Sequence, residues 1–166
     1  MSESPAESNV APQPFPRLPW GVAAAFVIFL ASLAMPAWDS GWSTTPAGAE
    51  RFLGWQCAQW SATFLWEVLK GGDDDLLEAS FTIPNLLMLC VPGLPLIRPV
   101  RRRLWPAVAA TVATLHVMYW RVAKHEPDEH ILIGYWFWLG SFATLACALW
   151  LWEARVHKAD RLIHSE

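Results

Sequence analysis

The sequence predicts an all-α membrane protein with four transmembrane helices and one amphipathic helix on the outer face. Three observations carry that expectation. Hydrophobic residues make up 54% of the 166 residues and charged residues 16%, against about 25% charged in an ordinary soluble domain. Four apolar runs approach the length needed to cross a hydrocarbon core, about 20 residues of helix. Many of the twelve tryptophans stand at the ends of these runs, where an apolar ring with one polar edge favours the membrane–water interface.

Residues 1–19 are polar and carry Pro5, Pro12, Pro14, Pro16 and Pro19. Such a stretch buries too little apolar area to offset its ordering entropy and reads as a disordered tail. The first span is expected over residues 20–38, WGVAAAFVIFLASLAMPAW, with a tryptophan at each end; it covers roughly 27 Å as a helix. A cleaved signal peptide is the other reading, because Ser32-Leu33-Ala34 resembles a cleavage site. The acidic Glu3 and Glu7, with Arg17 the only basic residue ahead of the run, favour a retained span.

Residues 52–70 follow a helical period. Gln56, Gln59, Thr63, Glu67 and Lys70 gather on one narrow face, and apolar residues with three tryptophans flank it on both sides. A helix of this kind suits the interface plane, and Gly71-Gly72 stops it. Placing Glu67 and two glutamines at membrane depth makes a span here the less favourable alternative. The second span is expected over about 81–97. Pro84 falls in its first turn, Pro99 lies beyond it, and Pro92 and Pro95 are interior, where they would kink the helix and free backbone carbonyls. The third span, about 104–120, runs between Trp105 and Trp120, and the fourth, about 131–152, carries tryptophans near both ends. Residues 153–166 form a polar tail of mixed charge, and residues 20–152 form one transmembrane domain.

Charge sets the orientation. With four spans, one side holds Arg17, Arg98, Arg101, Arg102, Arg103, Arg155, Lys158 and Arg161. The other holds Arg51, Lys70, Arg121 and Lys124, together with ten of the fifteen acids. The excess of basic residues places both termini of a multi-pass protein in the cytoplasm. Removing the second span would put the arginine block and the acidic loop on one side and erase the asymmetry.

Several residues are candidates for chemistry. His116, in the third span, is a candidate for haem or metal ligation, or for a proton relay; no second spanning histidine faces it, and an interhelical hydrogen bond is the simpler reading. His125 and His130, in KHEPDEH, are weak metal candidates; Pro127 lies between them, so they do not share a helical face. The acidic run Asp73 to Asp75 lacks the spacing and glycine of a calcium loop. Asn85 and Ser141 are polar groups inside spans, and Gly134 and Gly140 offer small surfaces for close helix packing. Cys57, Cys90 and Cys147 show no spacing for a disulfide framework or a zinc site. There is no nucleotide, hydrolase or metalloprotease motif. With a net charge of −3 and no basic stripe, no nucleic-acid partner is expected.

Some of these features resemble a diffuse group of small, uncharacterised bacterial inner-membrane proteins with four spans. The residues that carry the resemblance are Gly54-Trp55 at the start of the amphipathic helix, Asn85-Leu86-Leu87 in the second span, and Gly134-Tyr135-Trp136-Phe137-Trp138-Leu139-Gly140-Ser141 at the start of the last. The resemblance implies architecture only. The expected function is therefore that of a scaffold or accessory subunit acting through helix packing, without a cofactor, whose partners are the lipid bilayer, a second copy or another membrane protein. Two further readings are a small channel or transporter subunit, with the second span and its Pro92 and Pro95 lining the path, and a membrane haem or redox protein using His116.

Overall fold

The structure, a computed structural model, describes residues 20–39, 51–72, 76–96, 104–123 and 130–163. It is mostly helical. The elements are α1 (Trp20–Ala34), β1 (Pro36–Asp39), β2 (Arg51–Leu53), α2 (Gly54–Leu69), α3 (Leu76–Ser80), α4 (Thr82–Cys90), α5 (Trp105–Ala123), β3 (His130–Ile131) and α6 (Ile133–Ile163), with a 3-10 segment over Val91–Leu96 that continues α4.

The α1–α6 pair is the spine. The two helices run antiparallel: Gly21 lies against Ala148, the rings of Phe29 and Phe142 meet edge to face with centroids 6.4 Å apart, and Gly134 lies against Met35 and Pro36 just past the end of α1. α5 packs along the other side of α6, also antiparallel, and Tyr135 Oη donates to the Val117 carbonyl at 2.7 Å. Phe29, Met88, Val91, Val117, Phe142 and Leu145 fill the core, with Ala107 and Ala110 of α5 letting the backbones approach.

At one end a feature appears that helical periodicity does not show. α1 stops before Pro36, which lacks an N–H and restricts the residue ahead of it. The chain then extends, and β1 pairs antiparallel with both β2 and β3. Trp38 stands opposite Phe52 on one side and Ile131 on the other. The first expected span is therefore shorter than its apolar run, and Pro36–Asp39 is a strand. This three-stranded sheet, in the order β2-β1-β3, ties the end of α1 to the starts of α2 and α6.

α2 lies within the expected 52–70 and starts two residues later, because Phe52 and Leu53 belong to β2. Gln56 Oε1 accepts from the Leu53 N–H at 2.8 Å at its start. At its end the Gly72 and Gly71 N–H groups bond to the Glu67 and Val68 carbonyls, with Gly71 at φ +86°. The second run begins earlier than expected, at Leu76, and breaks at Phe81. Pro84 is the cause: it cannot donate to the Ser80 carbonyl, and its ring crowds that carbonyl, so the α-helical ladder restarts at Thr82. Pro92 and Pro95, expected to kink a helix interior, lie instead in the 3-10 segment that ends the run. α6 also differs: it continues through the expected polar tail to Ile163, a single helix of 31 residues.

Among the described residues, two segments are long and apolar enough to cross a membrane by length and composition, Leu76–Gly93 and Ile133–Lys158, rather than the four expected. α1 has 15 residues, which span about 22 Å at 1.5 Å per residue, short of a core about 30 Å thick. α5 is longer, but Thr111, Thr114, His116 and Arg121 lower its apolarity.

Gly134 permits the seam between α1 and α6. A Cβ there would lie 2.7 Å from the Pro36 carbonyl oxygen and 2.9 Å from that of Met35, both backbone atoms, whereas a Cβ at Gly140 would meet nothing within 4 Å. Close packing at Gly140 was expected and is absent. Gly134→Ala is expected to destabilise the protein by about 1–3 kcal/mol through overpacking, and Gly140→Ala to be neutral or slightly stabilising. Thermal unfolding of both variants in detergent checks this; equal melting temperatures would contradict it.

Candidate functional site

Where the sheet meets the bundle, β1, α2, α4 and α6 enclose a cavity of about 260 Å³, open on one side. Its position follows from the local structure. The sheet holds the start of α2 beside the end of α1, where the Gly54 N–H donates to the Met35 carbonyl at 2.9 Å. The break at Phe81 turns that ring inward, where it is buried. The space left between these elements and the first turns of α6 is the cavity.

Six aromatic side chains supply much of the wall: Trp38, Trp60, Phe64, Phe81, Tyr135 and Trp138. They also hold one another. Trp38 stacks on Phe52 at 5.3 Å and meets Trp60 edge to face at 6.0 Å, while Trp138 lies 5.9 Å from Phe81 and 6.0 Å from Tyr135. The polar groups in the wall are few. Trp138 Nε1 donates to Asn85 Oδ1 at 2.9 Å. An indole nitrogen is a donor only, so this bond assigns the amide oxygen to Trp138 and leaves the Asn85 NH₂ for another partner. Ser61, also in the wall, donates to the Ala58 carbonyl at 2.9 Å and retains its lone pairs. Trp38 Nε1 is buried with no hydrogen-bond partner among the described residues.

The residues singled out from the sequence fall into three groups. Asn85 and Gly134 line the cavity. Ser141 is fully buried one turn further along α6 and donates to the Trp138 carbonyl at 2.6 Å, fixing the turn that presents Trp138. His116 lies outside the wall. Its Nε2 is 2.8 Å from Ser80 Oγ, and its ring lies over Phe81 at 4.9 Å. Ser80 gives its single proton to the Leu77 carbonyl. Nε2 must then carry the proton and donate to Ser80, which makes His116 a link between α3 and α5. Pro92 and Pro95 belong to the 3-10 segment beyond the far end of α4, and Pro92 does not line the cavity. His130 is in β3, and His125 and Asp73 to Asp75 lie outside the described residues. Among the described residues no group of three or more His, Cys, Asp or Glu side chains could hold a metal ion.

Periodicity does not identify the aromatic wall. An interfacial role already accounted for Trp60, in the amphipathic helix, and for Trp138, near the start of the last span, so neither stood out as a wall residue.

Cys57 also lines the cavity, on the face of α2 that packs toward the bundle. Burial pushes its thiol up to about 11, with a smaller opposing effect from a backbone hydrogen bond. A raised thiol pKa means the neutral, unreactive form prevails through pH 7–9. With Cys90 and Cys147 replaced by alanine, the iodoacetamide rate at Cys57 is expected to climb about tenfold per pH unit up to about pH 10. A plateau near pH 9, the behaviour of an ordinary thiol, would contradict the burial.

In comparisons with known proteins, the chain matches no family model, no curated protein sequence and no solved structure.

Proposed function

We propose that this chain is a four-span membrane protein of the bacterial inner membrane that acts through packing and binding rather than catalysis. In this reading α1, the α3–α4 run, α5 and the first part of α6 cross the bilayer, and α2 lies along the outer interface. The resemblance to small four-span inner-membrane proteins points the same way.

The observation that carries the reading is the outward surface of the helices. Ile83, Leu86 and Leu89 of α4 form an exposed stripe, and so do Val108, Val112, Leu115, Tyr119 and Val122 of α5. Their spacing of three and four residues is one face of each helix. In water such contiguous apolar surface drives association; in lipid it has no such cost. The shortness of α1 does not defeat the assignment, because the bilayer thins or flanking residues adjust to short hydrophobic stretches at modest cost.

α2 supports the interfacial placement because it has three distinct faces. Cys57, Ser61, Phe64 and Val68 turn toward the bundle. Gln59, Thr63 and Lys70 are exposed and polar. Trp55, Trp66 and Leu69 are exposed and apolar on the sector between. One polar and one apolar exposed face, side by side, is the arrangement a helix needs to lie at a water–lipid boundary.

Orientation follows from the charge distribution, with both termini cytoplasmic. The basic residues Arg155, Lys158 and Arg161 on the last turns of α6 are then on the cytoplasmic side. A packing role, as a scaffold or accessory subunit, is the function that a bundle without a catalytic cluster among the described residues supports best.

Val112→Arg tests the lipid-facing stripe. Val112 is 59% exposed in the middle of α5, so a soluble protein would accept arginine there with little change. In a bilayer the substitution costs about 2.5–3.5 kcal/mol, and a marked loss of carbonate-resistant membrane protein is expected. Unchanged membrane yield would contradict a spanning α5. A fluorescent reporter fused to the C-terminus is expected to be active and an alkaline phosphatase fusion silent; the reverse would overturn the orientation.

A further inference from the structure

We propose that the cavity between β1, α2, α4 and α6 binds a neutral, lipid-soluble ring compound of the quinone class: flat, apolar and bearing carbonyl acceptors. This goes beyond the packing role and depends on the membrane reading only for the ligand's route of entry.

The shape of the wall sets the first requirement. Flat π surfaces come from separate elements: Trp38 from β1, Trp60 and Phe64 from α2, Phe81 from the α3–α4 break, and Tyr135 and Trp138 from α6. A flat ring meets such faces by offset stacking and edge contact. A saturated chain gains only its apolar burial there. At about 260 Å³ the cavity falls just below the usual range for small-molecule sites, about 300–1,000 Å³. That suits one ring with short substituents, and a longer tail would lie outside through the open side.

The polar groups set the second requirement. Trp38 Nε1–H is buried without a partner among the described residues, and Asn85, whose oxygen accepts from Trp138, presents an NH₂ in the wall. Both are donors. A buried donor without an acceptor costs free energy, so a ligand offering acceptors gains from each one it reaches. Quinones carry two carbonyl oxygens and no hydrogen-bond donor. Among the described residues no Lys, Arg or His lines the cavity, so nothing in the wall holds an anionic ligand such as a fatty acid.

The test uses the full chain in lipid nanodiscs and ubiquinone-1 as probe, whose ring carbons are all substituted and do not add thiols. Two readouts are taken: quenching of tryptophan fluorescence, and protection of Cys57 from iodoacetamide at about pH 10, where its thiolate is populated, with Cys90 and Cys147 replaced by alanine. Saturable quenching is expected, with Cys57 protected over the same concentration range. Ala58→Phe places a ring in the cavity and is expected to weaken binding at least about tenfold, the equivalent of roughly 1.4 kcal/mol. Quenching that only rises linearly, absence of Cys57 protection, or undiminished affinity in folded Ala58→Phe would each overturn the proposal. If Ala58→Phe has no cooperative thermal transition, protection of Cys57 in the unfilled cavity decides alone. Equal protection by decane would also overturn it, since the site would then take any saturated chain. Carbonate extraction of the same membranes reads the spanning assignment separately, so the two ideas fail independently.

Discussion

The close antiparallel contact between α1 and α6 is the constraint from which the rest of the structure follows. It holds at both ends. Gly21 and Ala148 bring the backbones together at one, and Gly134 lies against the carbonyls of Met35 and Pro36 at the other. Because Gly134 has no Cβ, α6 can begin directly against the end of α1, and the strands on either side of that junction come within hydrogen-bonding distance. The Leu132 N–H donates to the Ala37 carbonyl at 3.0 Å there. β2 pairs with the other edge of β1 and fixes where α2 starts. The sheet is too small to be stable by itself; the helices hold its strands in place, and it in turn sets the direction of α2.

The cavity is the geometric remainder of two interruptions. Pro36 ends α1 early and sends the chain sideways into β1. Pro84 breaks the second run at Phe81 and turns that ring into the bundle. Had both runs continued as straight helices, α2 could have packed flush and the space would close. Each interruption needs polar support. At the first it comes from sheet pairing; at the second, from Ser80, which donates to Leu77 and accepts from His116 of α5. His116 thus serves the site without touching it, by holding the broken end of α3 against α5.

Much of this was legible in the residues, and what was missed has definite causes. Apolar run length and helical period located α2 and the cores of α1, α5 and α6, because burial of a helix face imposes a period that composition reveals. Strand β3 has two residues, so no period can mark it, and β1 was hidden inside an apolar run that also reads as helix. The prolines were misjudged for a physical reason. A proline's effect depends on which carbonyl loses its donor, and that depends on where the helix begins. Pro84 does fall in the first turn of a helix, α4, but a separate short helix, α3, precedes it, and the run ends early enough that Pro92 and Pro95 are terminal. Asn85 and Gly134 were recognisable as unusual in their apolar surroundings. That they face one cavity with Trp38 and Trp60 required the crossing of four elements, which no local pattern encodes.

The hydroxyl groups show how the bundle manages polarity without water. Ser32, Thr111, Thr114, Ser141 and Thr144 each donate to a carbonyl three or four residues earlier in the same helix. Bonds of this kind hide the donor inside the helix and leave its outer surface apolar, as a lipid-facing or tightly packed helix requires. Against that background, the groups that do not bond locally stand out. Asn85 reaches across to Trp138, Tyr135 to Val117, and the Trp38 indole reaches no described partner. Trp38, Asn85, Tyr135 and Trp138 all line the cavity. Other such groups lie away from it: Trp150 Nε1 donates to Thr111 Oγ1 across α6 and α5, His116 meets Ser80, and Thr82 Oγ1 and Trp152 Nε1 are buried with no described partner. What sets the cavity apart is that its wall holds both a cross-element pair, Asn85 with Trp138, and an unpartnered indole N–H, that of Trp38.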